Sequence, residues 1–207
     1  MIRQSGSDID GAADADRTIM AVVYDDGIAA DRFLSDVGYR LRDCGVNVGG
    51  VVQRNTFVRE RTKCDMELEE LHSGSVFQIS EDRGAFAKGC RLDRSVLADV
   101  ASSLASVIEQ RPAMLIVNKF GKVEAEGSGL RDVIASAVQS GIPVIVGVPY
   151  RNIDQWRAFA GDLARESHLG TQDVAAWLLR CCQDLGIQAD AGRSLPAELR
   201  LLASRPV

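Results

Sequence analysis

Hydrophobic positions along the chain fall into two kinds of segment. Short, nearly continuous apolar runs occur at Thr18–Tyr24, Val46–Gln53, Ala113–Asn118 and Ile142–Val148. Runs of this length without alternation are typical of strands that are buried on both faces of a parallel sheet. Between them, apolar residues recur about every 3.6 positions, a period that predicts amphipathic helices.

Five helices are predicted from this period and from the residues at their ends. The first follows an Asp25-Asp26-Gly27 turn and ends at Gly45, and the second is capped by Asp93. The second helix runs to about Gln110, and the others cover about Leu130–Gln139, Ile153–Arg165 and Val174–Leu185. Alternating strands and helices predict an α/β fold of three layers, in which a mostly parallel sheet has helices on both faces.

The section from about residue 54 to residue 92 has a different pattern. Apolar and polar residues alternate along Asp65–Ser80 on both sides of a His72-Ser73-Gly74 turn. This pattern predicts a β-hairpin with one solvent-facing side, inserted at one edge of the sheet. We therefore expect one α/β domain over residues 17–189, a disordered N-terminal tail (residues 1–16) and a C-terminal extension (residues 190–207).

Composition and charge narrow the class of protein. A hydrophobic content of 46% is typical of a globular domain, and the formal charge of −5 argues against a nucleic-acid-binding surface. No apolar run approaches the roughly 20 residues that cross a bilayer. The first residues lack the basic start and apolar middle of a signal peptide. These features predict a cytoplasmic protein without membrane insertion.

Cysteine and histidine usage excludes several kinds of chemistry. The five cysteines form no C-x-x-C pair, and an odd number in a cytoplasmic protein argues against structural disulfides. We interpret Cys181 and Cys182 as packing residues of the last helix. Two histidines in the whole chain exclude histidine-rich metal chemistry, and neither of them suggests a Ser-His-Asp arrangement.

Three loops that follow predicted strands are candidates for a binding site. They contain the sequences YDDG after the first strand, NKFGKVEAEG beginning at Asn118, and VPYRN beginning at Val148. Ligands of open α/β sheets bind outside the carboxyl ends of the strands. We therefore expect the three loops to converge on one crevice.

The acidic turn after the first strand has two interpretations. Asp25 and Asp26 either satisfy the free N–H groups of the following helix or, together with Glu124, hold a magnesium ion. A phosphate-binding loop in its usual form is excluded, because neither G-x-x-x-x-G-K-[ST] nor G-x-G-x-x-G occurs in the sequence.

Two segments combine charge with glycine, the loop after Asn118 and residues 80–93. The loop after Asn118 is either a ligand site or a solvated loop with internal ion pairs, and residues 80–93 either capture an anion or pair with the acidic hairpin. The candidate ligand-binding residues are Asp25, Asp26, Gly27, Arg83, Lys88, Arg91, Asn118, Lys119, Gly121, Lys122, Glu124 and Arg131.

Long motifs carry a resemblance to a known family. At AVVYDDG, GGVVQRN, CDMELEEL, ISEDRGAFAKGCRLD and IVNKFGKVEAEGSGLRDVI, the chain resembles an uncharacterised bacterial family, domain of unknown function 2478. The resemblance covers about Thr18 to Phe159. Members of that family are often encoded near molybdenum-uptake genes, so the resemblance implies a link to molybdenum uptake or cofactor metabolism.

The order of elements is similar, more distantly, to the thermophilic-type nucleoside-triphosphatase family of P-loop proteins. That family has a glycine-lysine-threonine loop where this chain has YDDGIAADRF, and an Asp-Glu pair where this chain has Asn118 and Lys119. In IVNKFGKVE, Gly121, Lys122 and Glu124 match the family pattern. The resemblance thus implies a P-loop-like scaffold with a degenerate Walker A loop, whose phosphate chemistry is removed or rewritten.

Three functions remain open at this point. The first is a binding protein for a small anionic ligand, a nucleotide or an oxyanion such as molybdate. The second is a magnesium-dependent nucleoside-triphosphate hydrolase or phosphotransferase with a rewritten site. The third is a non-catalytic partner in a transport or cofactor-assembly complex. We take a homodimer as the default assembly, since two-fold dimers are the commonest oligomers.

Overall fold

The computed structural model of the protein describes residues 18–56, 65–80 and 92–184. The tail predicted over residues 1–16 and the extension predicted over residues 190–207 lie outside these described residues. The same is true of Arg83, Lys88 and Arg91, three of the candidate anion-binding residues.

Seven strands in the described part of the chain form one sheet in the order β4-β3-β2-β5-β6-β1-β7. The strands are β1 (Ile19–Tyr24), β2 (Val48–Thr56), β3 (Asp65–Glu70), β4 (Val76–Gln78), β5 (Met114–Val117), β6 (Val144–Pro149) and β7 (Ala164–His168). The helices are α1 (Gly27–Asp43), α2 (Arg94–Glu109), α3 (Lys122–Ala125), α4 (Arg131–Gln139), α5 (Ile153–Ala160) and α6 (Gln172–Asp184).

Helices cover both faces of the parallel strands and form two cores. Buried residues of α2, α4 and α5 pack on one face, whereas those of α1 and α6 pack on the other. The chain advances in one direction along the sheet from β2 through β5 and β6 to β7, and in the opposite direction from β1 to β2. Right-handed crossovers require helices on opposite faces for these two directions. The predicted three-layer, mostly parallel α/β architecture is confirmed.

The predicted hairpin is also confirmed at one edge of the sheet. Strands β3 and β4 pair antiparallel with each other, and β3 pairs antiparallel with β2. Its turn is closed by the carboxylate of Glu70, which accepts hydrogen bonds of 2.7 Å from the backbone N–H groups of His72 and Ser73.

The predicted helix from Ile153 to Arg165 is too long, and this prediction was wrong at its end. The helix stops at Ala160, and the chain returns as strand β7, which pairs in parallel with β1. The reason is that β7 is an edge strand in which only Ser167 is fully buried. Its sequence therefore lacks the apolar run that marks the central strands.

Helix α6 carries Cys181 and Cys182, and both side chains are buried as expected for packing residues. Across the described ranges, every helix is too short or too polar to cross a bilayer.

Candidate functional site

The neighbouring parallel strands β5, β6 and β1 all end on the same side of the sheet, which we call its carboxyl edge. The register aligns Val117 with Val146 on one side of β6, and Tyr24 with Pro149 on the other. The three loops singled out in the sequence therefore emerge from neighbouring strands. Helix α1, after β1, packs on one face, while α5, after β6, packs on the opposite face. Adjacent strands with this divergence form a topological switch point, where α/β proteins bind their ligands.

Helix α1 begins with its N–H groups already occupied. The Asp26 carboxylate accepts hydrogen bonds from Ile28 N at 2.9 Å and from Ala29 N at 3.2 Å. The Asp26 carbonyl accepts the N–H of Ala30 at 3.1 Å. The capping interpretation of Asp26 is thus confirmed, and its charge occupies the place where a phosphate would meet a helix N-terminus. Asp25, the preceding residue, is exposed.

Tyr24 is the last residue of β1, and its side chain is buried. Burial is the main cause that raises the pKa of the Tyr24 phenol well above its usual range. The charge of Asp31, a buried residue of α1, adds to the increase, and the charge of Arg151 opposes it. Side chains from the loop after β6 and from α1 therefore act electrostatically on the same hydroxyl group.

Asn118 follows β5 and has the most unusual environment at this edge. Its side chain is 1% exposed, and neither its Oδ1 nor its Nδ2 atom has a hydrogen-bond partner among the described residues. Alternation from Ile116, which packs in the core beneath α1, places the Asn118 side chain on the α1 side of the sheet. Buried amides are usually paired, because leaving one unpaired costs about 1–3 kcal/mol. An exception of this kind calls for an explanation, such as a bound water, a bound ion or a functional role.

Lys119 and Glu124 share the loop after β5 but differ in their contacts. In the described part of the chain, Lys119 makes no ion pair, and its side chain is half-buried. Glu124 is 5% exposed, and its carboxylate accepts the N–H groups of Gly121 at 2.9 Å and Leu130 at 3.0 Å. Burial raises the pKa of Glu124, although the backbone hydrogen bonds and the nearby charge of Lys119 act against the increase.

Two other charged residues of this segment, Arg131 and Lys122, contact groups of the protein itself. The Arg131 guanidinium donates to the Glu124 carbonyl at 3.2 Å and lies 4.3 Å from the centre of the Phe159 ring. Lys122 pairs with Glu126 at 3.6 Å. These contacts agree with the interpretation as a loop with internal ion pairs, and they occupy the charged groups of Arg131 and Lys122.

Backbone hydrogen bonds hold this loop against β6. Phe120 N donates to the Gly147 carbonyl at 2.8 Å, and the Asn152 side chain donates to the Phe120 carbonyl at 2.9 Å. Gly147 is required here, because a Cβ atom would overlap the Asn118 carbonyl oxygen and lie 2.8 Å from a methyl carbon of Leu34. Sequence reasoning included Asn152 in the VPYRN loop without this contact, and it missed Gly147. The glycine inside the apolar run IVGV was the signal available.

The magnesium hypothesis has little geometric support at this edge. Within residues 18–56, 65–80 and 92–184, no three His, Cys, Asp or Glu side chains are grouped to hold a metal ion. Both Asp26 and Glu124 already accept backbone N–H groups. A site formed by Asp25, Asp26 and Glu124 stays a prediction.

This fold defines an α/β protein with a mostly parallel seven-stranded sheet and helices on both faces. The chain belongs to a family of proteins of unknown function, DUF2478, whose family model matches residues 19–177. No solved structure matches the chain.

A curated relative carries a functional name. The chain is 34% identical over 161 residues to the molybdenum import ATP-binding protein ModC 2 of Bradyrhizobium diazoefficiens. The match covers 77% of this chain but 18% of the relative. The part of the chain that matches thus spans less than a fifth of the length of that protein.

Proposed function

We propose that this protein binds a nucleotide or a small oxyanion at the carboxyl edge of its sheet, without hydrolysing it. The observation that carries the proposal is the buried, unpartnered amide of Asn118 next to Lys119. Among the described residues, the amide has no hydrogen-bond partner and the cation makes no ion pair, so together they offer hydrogen bonds and positive charge. Both are features of anion recognition.

The position of these groups supports the proposal. They follow β5, next to the switch point between β6 and β1. Arg151 follows β6 and acts on the Tyr24 hydroxyl group from the same edge. We propose that Lys119 and Arg151 both attract the ligand, while the Asn118 amide hydrogen-bonds it. Arg83, Lys88 and Arg91 stay candidates for additional contacts.

The absence of hydrolysis is proposed from the chemistry of the groups at the crevice. Phosphoryl transfer in P-loop proteins and kinases relies on magnesium ions, held by hydroxyl, carboxylate or amide ligands, to neutralise the developing charge. The N-terminal N–H groups of α1 are taken by Asp26, and the carboxylate of Glu124 is turned into its own loop. A magnesium-dependent hydrolase would need both carboxylates to be released from these hydrogen bonds.

The proposed setting is molybdenum uptake, on the cytoplasmic side of the membrane. It is supported by the relative, which is named for molybdenum import and ATP binding. Under this proposal the ligand is either an adenine nucleotide or molybdate, and its binding reports the state of uptake.

A second candidate function is a non-catalytic partner in a transport complex. The observation that favours it is the small share of the relative that this chain matches, 18%. In the relative, the matching segment is part of a much longer protein. Binding of a ligand and association with a partner are compatible, so the ligand is tested first.

A thermal-shift screen with ATP, GTP, molybdate and tungstate, each with and without magnesium, tests the proposal. A ligand at about 100 times its Kd adds about 2.7 kcal/mol to the free energy of unfolding. We expect stabilisation by at least one of the four compounds and no release of phosphate. Rapid phosphate release would support the enzyme instead. If none of the four compounds stabilises the protein and a transport subunit is captured, the result would support the non-catalytic partner function.

The variant Lys119→Ala tests whether the ligand binds at the proposed site. This substitution should remove most of the ligand-induced stabilisation, because it deletes the cation next to Asn118. Arg111→Ala is the matched control, since Arg111 is exposed and precedes β5 at the opposite edge of the sheet. An equal loss in both variants would contradict the proposed site.

A further inference from the structure

We infer that the site takes its anion free of any divalent cation, with Asn118 as hydrogen-bond donor and Lys119 as the charge partner. The inference rests on the proposed function and names the ligand class: a metal-free oxyanion or the metal-free phosphate group of a nucleotide. It separates this site from one that binds a magnesium–nucleotide complex.

The two forms of the ligand need different partners. A phosphate that carries magnesium presents a cation whose remaining ligands are oxygens, preferably of carboxylates or water. A free anion presents acceptor oxygens alone, so its partners must be hydrogen-bond donors or cations. The groups at the end of β5 therefore indicate which form fits.

Those groups are an amide and an ammonium. Asn118 is 1% exposed, and its Nδ2 atom offers two N–H donors that have no acceptor among the described residues. Lys119, the next residue, offers three N–H donors and a positive charge that repels a second cation. An oxyanion accepts from both groups and neutralises the ammonium.

The nearest carboxylates are held in other contacts. Glu124 accepts two backbone N–H groups within its loop, and Asp26 accepts two at the start of α1. Asp31 is buried, and its charge raises the pKa of Tyr24. Lys119, in contrast, is the covalent neighbour of Asn118.

Asn118 can be exchanged for an acid of the same shape. In Asn118→Asp, a carboxylate replaces the donor, pairs with Lys119 and repels an anion. The same carboxylate supplies an oxygen ligand for magnesium. This single exchange should therefore change the form of ligand that the site accepts.

Isothermal titration with ATP and with inorganic molybdate, in EDTA and in excess magnesium, tests the inference. We expect at least one probe to bind in EDTA. If the probe is ATP, excess magnesium should weaken binding about tenfold or more, because it converts free ATP into its magnesium complex. Molybdate binding should not change with magnesium. Tighter ATP binding in magnesium would overturn the inference and leave the proposed function intact. No binding of either probe in either buffer would overturn both.

Two variants test separately whether Asn118 and Lys119 bind the anion. Asn118→Asp should lose about tenfold or more of the affinity in EDTA, since a hydrogen bond to a charged ligand is replaced by repulsion. Magnesium should restore part of the affinity for ATP. If this variant does not fold, Lys119→Gln gives the second measurement: a similar loss that magnesium does not restore. Arg111→Gln, which removes one charge at the opposite edge, should bind like the wild type. Unchanged affinity in EDTA for Asn118→Asp or for Lys119→Gln would overturn the inference.

Discussion

The side-chain amide of Asn152 donates a hydrogen bond of 2.9 Å to the carbonyl oxygen of Phe120. This bond joins the loop after β6 to the loop after β5. Because Phe120 N also donates to the Gly147 carbonyl, both backbone groups of Phe120 are held by the segment around β6. The position of Lys119, one residue earlier, therefore depends on contacts outside its own loop.

Asn152→Ala tests this dependence. The substitution leaves the buried carbonyl of Phe120 unpaired, so we expect the free energy of unfolding to fall by about 1–3 kcal/mol. Urea unfolding measures the change. Asn47→Ala is the control: its side chain is exposed and contacts the His72 ring, so its effect should stay within about 0.5 kcal/mol. Equal effects of the two substitutions would show that the bond between the loops contributes nothing.

Asp25 and Asp26 allow a matched comparison at the start of α1. Asp26→Ala removes the acceptor of two N–H groups and should cost about 1 kcal/mol of stability. Asp25→Ala removes an exposed carboxylate and should change stability by less than about 0.5 kcal/mol. Thermal or urea unfolding measures both. The capping role would be refuted by a larger loss at Asp25 than at Asp26.

Two glycines at the crevice should respond oppositely to a methyl group. Gly147→Ala forces an overlap with the Asn118 carbonyl and with Leu34, and should cost about 1–3 kcal/mol. Gly27→Ala meets only a ring carbon of Tyr24 at 4.0 Å, so stability should be unchanged or rise slightly. Urea unfolding of both variants decides. Full tolerance of alanine at position 147 would mean that β5 and β6 separate easily at this edge.

The raised pKa of Glu124 predicts how the free energy of unfolding changes with pH. Burial raises its pKa above the usual 4.5, so the folded state binds the proton more tightly than the unfolded state. Its contribution to stability is fully present below pH 4.5 and is lost as the pH rises through the folded-state pKa. Glu124→Gln cannot ionise at this position. The stability of the wild type relative to this variant should therefore fall as the pH rises from about 4 to about 7.

Urea unfolding of both proteins across this pH range measures the difference. Gln keeps one acceptor oxygen and loses one of the two backbone hydrogen bonds, which shifts the difference by a constant amount. The sign of the slope thus reports the ionisation alone. A flat or rising difference would contradict the raised pKa.

The sequence predicted the central fold because central strands and capped helices have strong local signals. Asp93, for example, accepts the N–H groups of Ser95 at 2.8 Å and Val96 at 3.3 Å, as its position before an apolar period indicates. Strand β7 was missed because an edge strand buries little, and four of its five residues are not fully buried.

The candidate site was predicted at the level of loops rather than of side chains. That the loops after β1, β5 and β6 share an edge follows from parallel pairing, which the apolar runs predict. Which side chains of residues 118–131 turn inward does not follow, because Glu124 and Arg131 are fixed by contacts with Leu130 and Phe159. The contact of Asn152 with Phe120 joins residues 32 positions apart and has no local signature.

Chemical-shift mapping by NMR tests most directly whether the carboxyl edge of β5 and β6 binds an anion. The titration adds magnesium-free ATP, and in a second sample molybdate, to the 15N-labelled protein. We predict that the side-chain amide of Asn118 and the backbone amides of Lys119, Phe120 and residues 150–152 shift most. Shifts confined to the β3–β4 hairpin, or no shifts with either compound at millimolar concentration, would contradict this assignment.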